Sequence, residues 1–422
     1  MPQPAPPQTP RLALTFILAT VTLDAIGIGL IFPVMPDLIR EVTGRDLADA
    51  ALWGGVLATS FAVMQFLFGP VLGSLSDRYG RRPVLLLSLL IMAADYLVMA
   101  TASTIWVLLA ARVVAGITAA TYATATAYIA DITPPDQRGA RFGLIGAGFG
   151  VGFVLGPLIG GLLAGVDTRA PFYAASALAI ANMIFGALVL PETVTDATRR
   201  AFSLKRANPL GALRAVVKLP GVRLTLACFL ILGIAMNVYP SVWAYYGQAR
   251  FGWDSAMVGI SLAIYGISFA FGQALLVGPM IRRWGEHRAA HYGMWVDVVT
   301  LTALGFVTSP TLALIITPLT ALGGAVTPSL QALASRSAPA DAQGELQGVL
   351  ASLNAIAMIT SPLIMTTTFS LFTKAGAPVF APGAPFLLAA LMMLACIALH
   401  VLGPRIRSGK RPPQVANQRT QA

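Results

Sequence analysis

Apolar windows of about 20 residues, the length of helix that crosses a hydrocarbon core of roughly 30 Å, recur along nearly all of this 422-residue chain. One signal anchor does not account for them. They are continuous apolar runs rather than ten-residue stretches of alternating character, so they read as helices and not as barrel strands. A helix also satisfies its own backbone hydrogen bonds, which lipid cannot do. Twelve spans result, at 12–36, 52–75, 83–102, 105–130, 139–165, 170–190, 222–247, 255–281, 288–308, 311–335, 343–372 and 384–403. The expected fold class is an all-α membrane protein with twelve transmembrane helices. Composition agrees, with 56% hydrophobic and 11% charged residues against roughly 25% charged in soluble domains.

The net charge of +11 invites a nucleic-acid reading until the 28 Lys and Arg residues are placed. Arg40, Arg45, Arg169, Arg250 and Lys374 fall in loops on one side, and Arg112 lies within span 4. The remainder gather on the other side, among them Arg78, Arg81, Arg82, Arg199, Arg200, Lys205, Arg206, Arg282, Arg283, Arg405 and Arg407. The positive-inside rule makes that side cytoplasmic, puts both termini there and removes the need for a nucleic-acid partner. The proline-rich stretch 1–11 precedes an apolar run too long for a signal-peptide core, so no cleavage is expected. Cys228 and Cys396 both fall in apolar spans, where a small buried hydrophobe is the usual role, and imply neither a disulfide framework nor a metal site.

The polar stretch after span 6, rich in Lys and Arg and holding Asn208 and Pro209, divides the spans six and six. It delimits a tail at 1–11, a first bundle at 12–190, a linker at 191–221, a second bundle at 222–403 and a tail at 404–422. The two bundles are duplicates: Gly73, Arg78, Gly80, Pro134, Gly139 and Pro157 match Gly278, Arg283, Gly285, Pro339, Gly344 and Pro362 at one constant displacement. Pseudo-symmetric halves about an axis along the membrane normal are a transporter design, with the solute between them near the midplane.

Ionisable groups at membrane depth are costly and usually serve transport. Four qualify: Asp24 in span 1, Asp95 in span 3, Arg112 in span 4 and Asp297 in span 9. Counting rise per residue from the span ends puts Asp24 and Arg112 at similar depth, so they are expected to pair, leaving Asp95 and Asp297 without a cation. An unpaired carboxylate in a low-dielectric cavity favours its neutral form and can exchange a proton. Each Asp has a plainer reading, as a cap for buried polar groups. Gln65 and Gln273 are uncharged groups suited to a cavity wall, while Asn182, Asn237 and Asn354 suit helix-to-helix hydrogen bonds.

Two motifs remain. The loop Gly73-Ser-Leu-Ser-Asp77-Arg78-Tyr-Gly80-Arg81-Arg82-Pro83 packs charge at a helix end, which charge topology alone would explain, but the whole string resembles the signature loop of the major facilitator superfamily. A degenerate copy stands at Gly278 to His287. That resemblance implies a charge network of Asp77, Arg78 and Arg81 with Asp131 at the end of span 4, acting as a gate. In span 5, Gly152, Gly156, Pro157, Gly160 and Gly161 allow close helix packing, which is sufficient physically. Their pattern is nevertheless similar to the antiporter motif of proton-coupled exporters.

The strings from Leu23-Asp24 to Pro36, Asp95-Tyr96, Phe251-Gly252-Trp253, Met257 to Ala263 and Gly344 to Gly348 narrow the resemblance to the twelve-helix tetracycline/proton antiporters of Gram-negative bacteria. It implies exchange of a magnesium-tetracycline cation for a proton, conferring tetracycline resistance from the cytoplasmic (inner) membrane. Asp24, Asp95 and Asp297 would couple protons; Gln65, Arg112, Gln273 and Asp297 would line the drug route. Magnesium enters only with the substrate, no resident metal or cofactor is expected, and the proton gradient supplies the drive. One departure is Phe269, where family members with a histidine in helix 8 would carry it. The alternative is therefore a proton-coupled exporter of another amphipathic drug or metabolite. A proton-coupled uptake symporter is a further alternative. A membrane-embedded enzyme would need clustered metal-binding carboxylates or a nucleophile with its base, and the sequence offers neither.

Overall fold

The computed structural model describes residues 10–408 except 120, 197 and 203–221. The tail before Pro10, most of the linker with Lys205, Arg206, Asn208 and Pro209, and the tail after Ser408 lie outside the described residues. The described chain is helical, with no strand.

Span 1 is Pro10–Ile31, and a turn before Pro36 breaks it from a short helix, Met35–Thr43. Spans 2 and 3 are Leu47–Tyr79 and Arg81–Thr101. Span 4 is Ile105–Thr118 followed by Thr121–Ile132; spans 5 and 6 are Arg138–Ala164 and Ala170–Val189. Span 7 runs Arg223–Met236 and Val238–Phe251 with Asn237 at the junction. Polar caps mark where apolar runs begin: Asp46, Asp254 and Ser309 accept the backbone N–H three residues on, which leaves fewer orphan donors at the lipid interface.

Spans 8 and 9 appear as one helical segment, Ser255–Phe306, of 52 residues. At 1.5 Å per residue that is about 78 Å, enough for two crossings. The division falls at Gly285, whose φ of 75° only glycine adopts freely. Its duplicate Gly80, at φ 114°, makes the corresponding turn between spans 2 and 3. The Gly278 to His287 copy is thus helical up to that single residue rather than an open loop. Counted this way, the described residues make twelve crossings. Span 10 is Pro310–Leu319, a 3-10 segment Thr320–Ala325, then Val326–Ser337; spans 11 and 12 are Gln343–Thr373 and Ala384–Ser408.

Packing repeats with the duplication. Span 3 lies on span 6 as span 9 lies on span 12, and span 1 lies on span 5 as span 7 lies on span 11. The halves meet through spans 2 and 11 and through their counterparts 8 and 5. Thr59 Oγ1 donates to the Ile359 carbonyl at 2.9 Å, and Gly54 and Gly55 admit Tyr245 and Thr366 where any side chain would collide. These contacts cluster toward the end bearing Asp37. Nearer the other end, Gly69 and Gly73 of span 2 and Gly139 and Gly143 of span 5 have no foreign atom within 4 Å of a would-be Cβ.

Of the three asparagines, Asn182 does bridge helices, accepting from Thr20 Oγ1 at 3.1 Å. Asn237 instead donates from its side chain to the Gly233 carbonyl of its own helix at 2.8 Å, the same carbonyl that accepts its backbone N–H at the span 7 junction. Asn354 is exposed and its nearest partner is Met358, one turn along. Cys228 and Cys396 are both buried and stand against each other's backbone carbonyl, joining spans 7 and 12.

Candidate functional site

Arg112 does not pair with Asp24. Its guanidinium forms an ion pair with Asp95 of span 3 and lies 5.5 Å from the Phe61 ring centroid. The reason is lateral rather than vertical: the Ile105–Thr118 part of span 4, which carries Arg112, packs on spans 2 and 3, whereas span 1 packs mainly on spans 5 and 6 and meets span 4 through Thr121–Ile132. Equal depth does not bring side chains together when the helix segments that carry them are not neighbours. The expectation that Asp95 lacks a cation is corrected by the same contact. Asp95 is buried and Arg112 largely so, and among the described residues Asp95 Oδ1 and Arg112 Nε have no hydrogen-bond partner.

Asp24 is buried at 8% exposure and makes no hydrogen bond or ion pair among the described residues. Tyr96, next to Asp95, reaches toward it: a Cβ on Gly27, three residues from Asp24, would stand 2.9 Å from the Tyr96 hydroxyl. Asp297 is likewise buried and has no cationic partner among the described residues, and its carboxylate presses on Gly323 in the 3-10 segment of span 10. The hydroxyls of Tyr239 and Tyr265 lie within its electrostatic reach. Gln273 arrives at the adjacent residue, donating Nε2–H to the Gly324 carbonyl at 3.2 Å. It sits in a π-helical stretch, Gly272–Val277, a distortion found often at functional sites. Two predicted residues from different spans thus end on one Gly-Gly step. Phe269 is packed against Gly324 and stacks on Tyr265 at 6.0 Å. Gln65 is half-buried and unbonded among the described residues.

Aromatic residues that sequence reasoning missed line a cavity of about 220 Å³ between the halves: Phe32 and Phe153 from the first, Tyr239, Trp243 and Tyr265 from the second, with Pro157 at its edge. Apolar side chains in apolar spans give no signal, so only the packing reveals them. Pro157 and its neighbours form the joint beside it. Gly152, Gly156 and Gly160 receive the backbone of span 1, and Gly161 receives Ser255 and Ala256 of span 8. The motif residues therefore hold three helices from both halves together.

At the signature loop the structure assembles the implied network. Arg81 contacts Asp77 at 2.6 Å and Asp131 at 3.2 Å, and also donates to Ser76 Oγ. Arg78 stands apart, over the Tyr79 ring at 5.2 Å. Glu192, which sequence reasoning passed over, accepts the backbone N–H groups of Arg81 and Arg82 at 2.9 and 3.1 Å, capping span 3 with a carboxylate where the helix dipole favours one. In the second half, Glu286 pairs with Arg336 at 2.5 Å. These are the duplicates of Arg81 and Asp131, with the charges exchanged.

With this geometry in place, comparison with known proteins is decisive. The family model of the Major Facilitator Superfamily matches residues 17–362 and 224–421. The chain belongs to the major facilitator superfamily. Within it, relatives include the class C tetracycline resistance protein of Escherichia coli, 43% identical over 85% of this chain and 90% of that one. The class G protein of Vibrio anguillarum is 39% identical over 85% and 91%. The class B protein of Escherichia coli is 36% identical over 84% and 87%. The chain is a superfamily member of the tetracycline resistance group and a multi-pass inner-membrane protein. Among solved structures, a bacterial homologue of the lysosomal transporter Spinster, in an inward-facing and unoccupied conformation, aligns with a TM-score of 0.78. It covers 97% of this chain and 100% of that one at 18% identity, a likeness of fold. Superfamily members of this kind are transporters rather than enzymes.

Proposed function

We propose that the chain exports tetracycline, as its magnesium chelate, in exchange for protons. The observation that carries this reading is a buried, cation-free Asp297 beside an aromatic cavity at the junction of two halves, in a chain 43% identical to a tetracycline resistance protein. An aromatic wall suits the fused rings of such a drug, and a carboxylate suits a cationic chelate or a proton in turn. Asp24 and Asp297 carry the proton exchange. Asp95 serves it only when released from Arg112, so that pair links the charge of the first half to its conformation. Gln65, Arg112 and Gln273 orient the drug, and the Gly152 to Gly161 joint holds the halves together during rocking.

The bundles 12–190 and 222–403 rock as units about the 191–221 linker, with both termini cytoplasmic. The Asp77–Arg81–Asp131 contact gates the cytoplasmic end, and Arg78 adds charge to the face it presents. No metal or cofactor resides in the protein. Everted vesicles supplied with tetracycline and magnesium test the whole proposal: an inward-acidic gradient drives accumulation, whereas loss of drug from the vesicles would mark uptake instead. Phe269, in place of the histidine expected there, favours one rival, export of a different amphipathic compound. Susceptibility profiling of an efflux-deficient host separates them. Resistance to another compound with none to tetracycline would establish the rival.

A further inference from the structure

Asp37 is a loop acid by sequence, just past the first apolar run, and nothing in its spacing marks it. In the structure it stands in the first turn of the short helix Met35–Thr43 and reaches across to the second half. Its Oδ1 accepts from Gln248 Nε2, near the end of span 7, at 3.1 Å. Its Oδ2 accepts from Ser255 Oγ, at the start of span 8, at 2.7 Å. The same serine hydroxyl lies 3.0 Å from the Pro33 carbonyl, so it is held on two atoms of the first half. Arg40, one turn on from Asp37, steadies the carboxylate at 3.8 Å. Beside these groups lies a cavity of about 370 Å³, lined by Asp37, Arg40, Gln248, Asp254 and Ser255 among others.

We infer that Asp37 is the latch of the outer gate, the group that holds the halves closed at the end opposite the Asp77–Arg81–Asp131 network. This rests on reading the chain as an alternating-access transporter. Among the described residues, the other contacts between the halves at this end are packing of glycines and neutral bonds from the Thr59 and Ser255 hydroxyls to the backbone carbonyls of Ile359 and Pro33. Asp37 contributes charge-assisted hydrogen bonds, roughly twice as strong as neutral ones. Both donors belong to the second half, so the bonds exist only while this end is shut. Opening exposes the carboxylate to water, which replaces both donors and keeps the latch reversible.

Spin labels at Arg45 and Val379, exposed on the two halves near this end, read the opening directly in full-length protein in lipid discs, with both cysteines replaced. Asp37→Ala and Ser255→Ala are each expected to raise the ratio of open to closed molecules about tenfold, or about 1.4 kcal/mol. The double variant should fall clearly short of the product of the two single effects, because the Ser255–Asp37 bond is lost in both. An unmoved distance distribution in folded Asp37→Ala protein, or additive effects in the double variant, would overturn the latch. If Asp37→Ala does not fold, Gln248→Ala and Ser255→Ala remove the donors instead and must give the same shift. A parent protein whose distances never respond to drug or proton gradient contradicts the transporter reading itself. A responsive parent with an indifferent Asp37→Ala contradicts the latch alone.

Discussion

A carboxylate inside a bilayer is held there by what surrounds it, and three aspartates at comparable cost occupy three different surroundings here. Asp95 is neutralised by Arg112, Asp24 has a tyrosine for company, and Asp297 lies against a glycine with no cationic partner among the described residues. Asp297→Asn keeps the shape and loses the exchangeable charge, so it should abolish coupled transport while leaving membrane insertion intact. Proton release on drug addition to vesicles reads this, and release at the parent level would contradict it. Arg112→Ala should be worse for the fold than for the pathway, since it strands a buried charge, at a cost of roughly 3–5 kcal/mol. The double variant Asp95→Asn/Arg112→Gln should regain most of the thermal stability in detergent without regaining transport. All four charged residues were legible in the sequence, because a charge in an apolar run stands out. Their pairing was not. Residue counting gives height in the membrane, whereas contact depends on which helices are lateral neighbours, and span 3, not span 1, flanks Arg112.

Among the elements, span 5 shows how a run of glycines becomes a joint. A Cβ on Gly156 would sit 2.6 Å from the Ile26 carbonyl oxygen and 2.7 Å from Gly29 Cα, backbone atoms that have nowhere to go. Gly156→Ala should therefore lower stability by roughly 1–3 kcal/mol, seen as a fall in melting temperature, while the same change at Gly143, which faces open space, should leave it unmoved. The crowding was foreseeable from composition, but the partner helices were not. A second element-scale result is the charge exchange between Arg81–Asp131 and Glu286–Arg336. Duplication preserved the positions and not the signs, so a search for repeated residues misses the relationship. Glu286→Arg should reduce transport, and Glu286→Arg/Arg336→Glu should restore much of it. The loss in the single variant should itself be modest, because Arg336 is largely exposed and solvent screens the pair.

At the level of the whole molecule, the closed end and the open end are distinguished by where the halves touch. Thr59 and Ile359 are in contact across that seam, so cysteines placed there in a background without Cys228 and Cys396 should cross-link on oxidation. Transport should then stop, and return on reduction. Cross-linking with transport undiminished would mean that this seam does not open. Twelve crossings and their duplication were legible from apolar length and repeated glycines. The boundary between spans 8 and 9 was clear as well, once Gly285 is seen as the residue that permits the turn. What length and period leave open is internal texture, and span 10 is the case in point. Its six residues Thr320–Ala325 are wound as a 3-10 helix, which rises about 2.0 Å per residue where an α-helix rises about 1.5 Å. Rewinding that stretch to α would shorten the span by about 3 Å. Asp297 and Gln273 both rest on it, so a change in helix length there would shift their footing and the reach of Arg336 toward Glu286 together.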